Sequence, residues 1–244
     1  MRMLKGSNGY LRNQVRKNFT NAVLCLVVFV LVFFVSTLGM LLTLSVNIYE
    51  EGALLASLVP LGGFYFFLRR HNRYKGGLEG EERVAKLLRG NLGDDYFLIN
   101  DLYLNSGGDI DHVVLGPTGV FVLETKNWSG EISCHGDYWQ RIGRGKFKGG
   151  NPSLQVKRNA AKIARLIYAS NAENRLNIES IVVFTNSRAI LHLYNPSVTI
   201  LRLPQLPNYI TTRARNDGLT KPRLEAIAEE ILKKEANANQ LVEE

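Results

Sequence analysis

The chain has 244 residues, a formal net charge of +8 and only two cysteines, Cys25 and Cys134. Two cysteines cannot build a disulfide framework or a zinc-ligand cluster, so the small domains stabilised by either are excluded. The length suits one ordinary domain plus an additional segment. The basic charge permits nucleic acid or an anionic membrane surface as a partner without requiring either.

Two apolar runs near the N-terminus predict a transmembrane hairpin. Residues 21–46 carry no charge and exceed the ~20 residues that a helix needs to cross a bilayer. Residues 52–68 form a second uncharged run, near the short end of the spanning range. We therefore expect residues 21–68 to be a two-helix hairpin anchored in the lipid bilayer. A cleaved signal peptide would have a shorter apolar region that ends in a small-residue cleavage site. A helical hairpin buried in a soluble protein is the other alternative, and it is disfavoured because both runs are apolar all round.

Charges on either side of the hairpin predict its orientation. The N-terminal segment, residues 1–20, is basic, and the loop between the two runs carries only the charged residues Glu50 and Glu51. The positive-inside rule then places both termini and the following domain in the cytoplasm. The basic residues that flank the runs are Arg2, Lys5, Arg12, Arg16, Lys17, Arg69, Arg70, Arg73 and Lys75.

Residues 75–190 are expected to form the core of one α/β domain, which residues 191–244 complete with a strand and helices. Residues 76–80 are predicted to lead into its first helix, which runs to about Leu88 and has an apolar stripe of Val84, Leu87 and Leu88. Glu81 falls on or beside that stripe. An acid near a helix start usually interacts only with the helix dipole, but the inward direction of Glu81 favours a role at a site.

Two β-rich runs, residues 110–115 and 120–125, flank Gly116-Pro117-Thr118-Gly119 and predict an antiparallel hairpin. A symmetric loop places Asp111 opposite Glu124, and Val113 opposite Val122. Side chains alternate between the faces with period two. The residues that then share one face at the open end of the hairpin are Asp109, Asp111, Glu124 and Lys126.

Directly opposed like charges destabilise a sheet, so Asp111 and Glu124 predict a divalent cation between them. Mg²⁺ binds one or two carboxylates together with waters and phosphate oxygens, and it activates water for phosphodiester cleavage. Lys126 would stabilise charge on the phosphate or position the attacking water. The alternative is a salt-bridge cluster at the sheet edge, in which Lys126 neutralises the two acids.

The surrounding pattern predicts a mixed central sheet covered by helices on both faces. A strand over residues 96–104 leads into the hairpin, and both faces of the hairpin are largely apolar. His112 lies on the face opposite Asp111. A buried structural histidine is favoured there over a metal ligand or a general base.

A second hairpin is predicted over residues 131–142, followed by a basic segment. Cations interleaved with aromatic residues are typical of a surface that contacts phosphates and bases. An ordinary solvated loop is the alternative. The candidate nucleic-acid-binding residues are Arg141, Arg144, Lys146, Lys148 and, on the next helix, Lys157.

Asn151 and Pro152 predict the start of that helix, because Asn is a favoured N-cap and Pro a favoured first residue. The helix should run to about Ala169 with a buried stripe that includes Val156. Gln155 lies in the first turn, beside this stripe. It would contact phosphate or water, or make only a helix-terminal hydrogen bond.

Several spaced elements resemble the NERD (nuclease-related) domain, a branch of the PD-(D/E)XK phosphodiesterase superfamily. They are Ile110-Asp111-His112, Gly116-Pro117-Thr118-Gly119-Val120 and Glu124-Thr125-Lys126-Asn127-Trp128 followed by Ser129-Gly130. Ile110 departs from the proline that gives the superfamily its name. Gly77-x-x-Gly80-Glu81 resembles the first motif of the family, and Asn151-Pro-x-x-Gln155 a later one.

The resemblance implies a restriction-endonuclease-like α/β fold and a membrane-anchored, cytoplasm-facing, metal-dependent nuclease. Asp111 and Glu124 would bind Mg²⁺ or Mn²⁺, and the substrate would be nucleic acid, with DNA favoured over RNA. One alternative is a non-catalytic, membrane-tethered module that binds nucleic acid or protein. Another is a hairpin that only scaffolds a membrane assembly. The catalytic set implied by the resemblance is Glu81, Asp111, Glu124, Lys126 and Gln155.

Overall fold

The computed structural model describes residues 1–6, 9–43, 52, 55–104, 109–143, 150–170 and 176–243. The chain divides into two compact units. One comprises Gly9–Leu78, and the other comprises Met1–Asn8 together with Glu79–Glu244. The second unit therefore contains residues from both sides of the first in sequence.

The unit Gly9–Leu78 is a pair of antiparallel helices. Helix α1 spans Gly9–Thr43, and helix α2 spans Leu58–Asn91, so α2 begins in this unit and continues beyond it. The ring of His71 lies 3.0 Å from the carbonyl oxygen of Val15 and 5.4 Å from the ring of Phe19. Further along α1, Gly63 faces the thiol of Cys25. The earlier residue of α1, Val15, contacts the later residue of α2, His71, and the later residue Cys25 contacts the earlier residue Gly63, so the two helices are antiparallel.

Only one helix in the described part of the chain, Gly9–Leu42, is long and apolar enough to cross a membrane. Its apolar side chains are largely exposed, with Leu41 70% and Leu42 75% accessible. The sequence predicted two such helices. The second run does not qualify because the described helix α2 begins at Leu58 and meets the charged residue Arg69 after a short uncharged stretch. The predicted tight connection, residues 47–51, lies outside the described residues.

The predicted start of a helix after residues 76–80 was wrong, since these residues lie inside the 34-residue helix α2. The glycines at positions 76, 77 and 80 suggested a helix start. They lie within helical backbone instead. Of the predicted stripe, Val84 and Leu88 are buried, together with Gly80 and Ala85, whereas Leu87 is only half-buried.

The second unit is built on a six-stranded mixed sheet with the order β1-β2-β3-β4-β7-β9. Strand β1 is parallel to β2, the three strands β2, β3 and β4 are antiparallel, and β4, β7 and β9 are parallel. The sheet is mixed, as predicted. Its strands are β1 (Arg2–Lys5), β2 (Phe97–Tyr103), β3 (Asp109–Gly116), β4 (Gly119–Lys126), β7 (Ile178–Phe184) and β9 (Thr199–Arg202).

Strand β1 gives the basic N-terminal segment a place in the sheet that the sequence did not predict. Arg2 pairs with Phe97 and Lys5 with Ile99 at the edge of the sheet. The Lys5 ammonium also forms an ion pair with Glu235. A four-residue strand with two cations carries too weak an alternation to be recognised from sequence.

Helices cover both faces of this sheet, which confirms the predicted layers. Helices α3 (Pro152–Ser170) and α5 (Lys221–Glu243) pack on one face, where Val156, Ile163, Leu224 and Ile231 join the core. The end of α2 and helix α4 (Leu206–Thr211), preceded by a 3-10 turn at Leu203–Gln205, pack on the other face.

A three-stranded sheet with the order β6-β5-β8 lies outside the main sheet. Its strands are β5 (Gly130–His135), β6 (Tyr138–Arg141) and β8 (Ala189–Tyr194). The predicted second hairpin is β5–β6. The parallel partner β8 was not expected. Ile132, Cys134 and Trp139 are buried on the inner side of this sheet and join the core under α3.

Candidate functional site

The register of the β3–β4 hairpin is the one that the sequence predicted. Val113 pairs with Val122, and the regular pairing extends to His112 opposite Leu123. The next residues on the two strands are Asp111 and Glu124. The hairpin therefore brings the two carboxylates together at its open end, next to α3.

Asp111 is fixed by the backbone of the neighbouring strand. Its Oδ2 accepts a hydrogen bond of 2.6 Å from the backbone N–H of Thr125. Removal from water raises the pKa of Asp111, while the Lys126 ammonium and the Thr125 N–H act in the opposite direction. Asp109 and Asp101 add negative charge nearby and raise the pKa of Asp111 further.

Glu124 is almost completely buried, with 1% of the residue exposed. Its Oε1 accepts a hydrogen bond from the Lys126 ammonium, whereas its buried Oε2 has no hydrogen-bond partner. Burial raises the pKa of Glu124, the charge of Asp111 raises it further, and Lys126 lowers it. A buried acceptor without a donor costs free energy, so Oε2 is available to a cation.

Lys126 lies between three groups. Its Nζ donates to Glu124 Oε1, lies 3.5 Å from Gln155 Oε1 and lies 5.5 Å from the centre of the Trp128 ring. The Lys126 side chain is 14% exposed, so the ammonium is within reach of solvent. Cation and carboxylates together form a nearly enclosed polar cluster at the edge of an apolar core.

Gln155 reaches the cluster because helix α3 begins where the sequence predicted. Asn151 caps the helix, since its Oδ1 accepts a hydrogen bond of 3.0 Å from the backbone N–H of Leu154. Pro152 is the first helical residue. Gln155 therefore stands in the first turn, with its side chain directed at Lys126.

Glu81 follows Gly80, at which helix α2 packs against strand β4. A Cβ atom at Gly80 would lie 3.4 Å from Thr125 Cγ2 and 2.9 Å from Thr185 Oγ1. Thr125 points to this face of the sheet, whereas Glu124 and Lys126 alternate to the other. Gly80 therefore packs against strand β4 on the face away from Glu124 and Lys126, and the participation of Glu81 in the site stays a prediction.

His112 is completely buried on the face away from the carboxylates. Its Nδ1 lies 2.7 Å from Asn100 Oδ1. Burial lowers the pKa of His112 to about 3, so the ring is neutral at physiological pH. A neutral, buried ring on the opposite face agrees with the structural role that the sequence favoured.

Two of the five candidate nucleic-acid-binding residues lie in the described part of the chain, and each has an intramolecular partner. Arg141 donates to the backbone carbonyl of Ser129. The Lys157 ammonium lies 2.8 Å from Asp137 Oδ2. Arg144, Lys146 and Lys148 lie outside the described residues. The contacts of all five with nucleic acid stay predictions.

Sequence reasoning gave no role in the site to Trp128 or to the backbone of Thr125. Trp128 could have been found, because residues 126 and 128 follow each other with the period of a strand and so fall on one side. The role of the Thr125 N–H could not have been found, because this group is available to Asp111 only where the regular β3–β4 pairing ends. Trp139 reaches the region only through the tertiary packing of the three-stranded sheet.

The donor atoms at this site fit a hard divalent cation. Asp111 and Glu124 supply carboxylate oxygens, and Glu124 Oε2 is buried and unsatisfied. Described residues form no cluster of three or more His, Cys, Asp or Glu side chains around one point. Mg²⁺ is commonly held by only one or two carboxylates, with waters and phosphate oxygens completing its coordination, so two carboxylates are sufficient.

Comparison with known proteins agrees with the location of this cluster. The family described as the nuclease-related domain matches residues 76–185. An uncharacterized protein of Bacillus anthracis is 34% identical over 124 residues, which cover 48% of this chain and 57% of that relative. The chain thus spans little more than half the length of the relative. No solved structure is significantly similar to the chain. Residues 76–185, which include Asp111, Glu124, Lys126 and Gln155, are therefore a nuclease-related (NERD) domain.

Proposed function

We propose that the chain is a membrane-anchored, metal-dependent nuclease whose active site is the cluster around Asp111 and Glu124. The observation that carries this proposal is the buried carboxylate of Glu124 next to the half-buried carboxylate of Asp111, with Lys126 beside them. A cluster built only for stability would not require a second acid, Asp111, that raises the pKa of Glu124, because a single Lys–Glu pair would satisfy the charges.

Each residue of the cluster has a defined role in this proposal. Asp111 and Glu124 would hold Mg²⁺ or Mn²⁺, which supplies Lewis-acid activation of the phosphate and of a water molecule when bound. Lys126 stabilises negative charge that develops on the phosphate. Gln155 orients the Lys126 ammonium, and Glu81 completes the polar edge of the site.

The fold supports an assignment to the PD-(D/E)XK superfamily. Asp111 and Glu124 stand on neighbouring central strands of a mixed sheet that has helices on both faces. Glu124-Thr125-Lys126 supplies the acid and the lysine of the superfamily signature. The substrate that follows is nucleic acid, DNA in preference to RNA, with Arg141, Lys157 and the cations at positions 144, 146 and 148 contacting its phosphates.

Membrane anchoring is supported by chain connectivity. Strand β1 pairs with β2, although the apolar helix Gly9–Leu42 separates them in sequence. A chain that leaves the domain into a bilayer and returns to the same sheet must cross the bilayer an even number of times. The apolar run at residues 52–68 would supply the second crossing, and by the positive-inside rule the flanking cations favour a cytoplasmic location of the domain.

Cleavage assays on the full chain in detergent or nanodiscs test the proposed activity. Single- and double-stranded DNA and RNA are incubated with Mg²⁺, Mn²⁺ or chelator. The variants are Glu124→Gln and Lys126→Met, with Glu131→Gln as control because that side chain is 51% exposed. We expect metal-dependent cleavage by the wild type and the control but not by the two site variants. Binding of nucleic acid without cleavage by the folded wild type would favour the non-catalytic module.

A further inference from the structure

The indole of Trp128 faces the cation of the site. Lys126 Nζ lies 5.5 Å from the centre of the Trp128 ring, within the distance at which an ammonium is attracted to the face of an aromatic ring. Tryptophan is the aromatic side chain that makes this interaction best. The ammonium therefore has three neighbours, the Trp128 ring and the oxygens of Glu124 and Gln155.

Two buried aromatic rings hold Trp128 in place. Trp139 and Phe184 both contact it edge to face, with ring centres 6.3 Å and 6.0 Å away. Trp139 is 6% and Phe184 2% exposed. An edge-to-face contact fixes the orientation of a ring as well as its position, so the face that Trp128 presents to Lys126 is set by the core.

These aromatic rings are connected to helix α3, which carries Gln155. The indole N–H of Trp139 donates a hydrogen bond of 2.9 Å to Ser153 Oγ, and Ser153 is completely buried. Ser153 stands two residues before Gln155 in the first turn of α3. Trp128 and Gln155, which are both neighbours of the Lys126 ammonium, are thus positioned by one continuous set of contacts.

The three-stranded sheet contributes two further links to this helix start. The side-chain amide of Asn151 donates to the carbonyl oxygen of Asp137 at 2.7 Å, and Lys157 pairs with the Asp137 carboxylate. Asp137 lies in the turn between β5 and β6. The sheet therefore fixes the first turn of α3 as well as Trp139.

A lysine needs such support because its ammonium is a point charge on a flexible stem with three donors and no acceptor. With Glu124 alone as a partner, the ammonium could rotate around the carboxylate. We propose that Trp128 is a positioning residue whose indole face, supported by Trp139 and Ser153, restrains the Lys126 ammonium between Glu124 and Gln155. The inference rests on the proposed nuclease function for its catalytic consequence, but the contact itself can be tested without activity.

Tryptophan fluorescence tests the contact. The chain has two tryptophans, so Trp139→Phe leaves Trp128 as the single reporter. In this background we expect Lys126→Met to shift the emission of Trp128, whereas Lys126→Arg retains a cation and shifts it less. If Trp139→Phe does not fold, the same comparison is made in the wild-type background. Identical spectra with and without the cation would overturn the proposed contact.

Kinetics then test the positioning role. We expect Trp128→Leu to lower kcat about tenfold while KM and Mn²⁺ affinity stay unchanged, and Trp128→Phe to restore part of the loss because it retains an aromatic face. Phe121→Leu is the control, since Phe121 is a fully buried aromatic residue on strand β4, which precedes Trp128, and belongs to the other core layer. It should lower stability and leave kcat unchanged.

The two proposals fail in different ways. A kcat for Trp128→Leu equal to that of the wild type, or losses equal to those of Phe121→Leu, would overturn the positioning role while nuclease activity stands. An emission shift in a protein that cleaves no nucleic acid would instead contradict the proposed function and leave the Lys126–Trp128 contact established.

Discussion

Asp111 Oδ2 accepts a hydrogen bond of 2.6 Å from the backbone N–H of Thr125, the residue between Glu124 and Lys126. This bond ties the carboxylate of strand β3 to the strand that carries the other two charged groups. It also occupies only one oxygen of Asp111. The other oxygen is left to act with Glu124 Oε2, so geometry and electrostatics both favour a shared cation.

Replacing Asp111 with Asn separates its role in structure from its role in catalysis. An amide oxygen can still accept the hydrogen bond from Thr125, and the change removes a charge that raises the pKa of Glu124. We expect metal-dependent cleavage to fall by about 100-fold or more in Asp111→Asn. The melting temperature in chelator should be equal to or higher than that of the wild type. Wild-type cleavage rates in this variant would exclude Asp111 from the active site.

The two carboxylates should also make the stability of the metal-free protein depend on pH. Their pKa values are raised in the folded state by burial and, for Glu124, by the charge of Asp111. The folded protein then binds more protons than the unfolded chain above about pH 4, the ordinary pKa of a carboxyl group. Stability is therefore lost as pH rises through the raised pKa values.

Thermal unfolding in chelator checks this dependence. The melting temperature should fall between about pH 5 and about pH 8, and Mg²⁺ or Mn²⁺ should reduce the fall because a bound cation favours the ionised carboxylates. Asp111→Asn, with one titrating group fewer, is the control and should show a flatter profile. A wild-type profile that rises with pH in chelator would mean that the pair is not destabilised by its charge.

Gly80 should be necessary for the packing of α2 against strand β4. A Cβ there would lie 2.9 Å from Thr185 Oγ1 and 3.2 Å from Asn127 Cβ, so Gly80→Ala should cost about 1–3 kcal/mol of folding free energy. Gly90→Ala on the same helix is the matched control. No atom lies within 4 Å of its added Cβ, and higher helix propensity should stabilise by up to about 1 kcal/mol. Denaturant unfolding that ranks the two variants alike would contradict the close approach.

The ion pair of Lys5 should fix strand β1 to the sheet. The Glu235 side chain is 7% exposed and its Oε1 also accepts a hydrogen bond of 2.7 Å from the backbone N–H of Tyr103. Lys5→Met should therefore cost about 2 kcal/mol. The control is Arg2→Ala on the same strand, whose side chain is 66% exposed and should contribute less than about 1 kcal/mol. Equal losses in unfolding experiments would contradict the ordered strand β1.

Membrane topology can be tested with single cysteines in a chain in which Cys25 and Cys134 are replaced. A membrane-impermeant maleimide should label Asn47→Cys in intact cells, because the connection between the two apolar runs would face outward. Asp217→Cys, on an exposed loop of the domain, should be labelled only after permeabilisation. Labelling of both positions in intact cells, or of neither, would contradict the two-span hairpin.

The sequence predicted those parts of the site that depend on local periodicity. The register of the β3–β4 hairpin follows from its four-residue connection, and the start of α3 follows from Asn151 and Pro152. Both are properties of adjacent residues. The shared face of Asp111, Glu124 and Lys126 could therefore be derived before any tertiary structure was considered, whereas Gln155 was joined to them only through the resemblance to the family.

Contacts between distant parts of the chain could not be derived in this way. Strand β1 has four residues and obtains its stability from β2 and Glu235, far along the chain. Likewise, β8 is strand only because it pairs with β5. The continuity of α2 through three glycines depends on packing that overrides their low helix propensity. Gly80 in particular is explained only by the proximity of Thr125 and Thr185.

Equilibrium binding of Mn²⁺ to the full chain, followed by electron paramagnetic resonance, tests the central claim most directly. The claim is that Asp111 and Glu124 share a divalent cation. We predict that the wild type binds Mn²⁺, that Mg²⁺ competes for the site, and that Asp111→Asn and Glu124→Gln each abolish binding while Glu131→Gln retains it. Mn²⁺ binding that survives in both site variants, or no binding by the folded wild type, would contradict the claim.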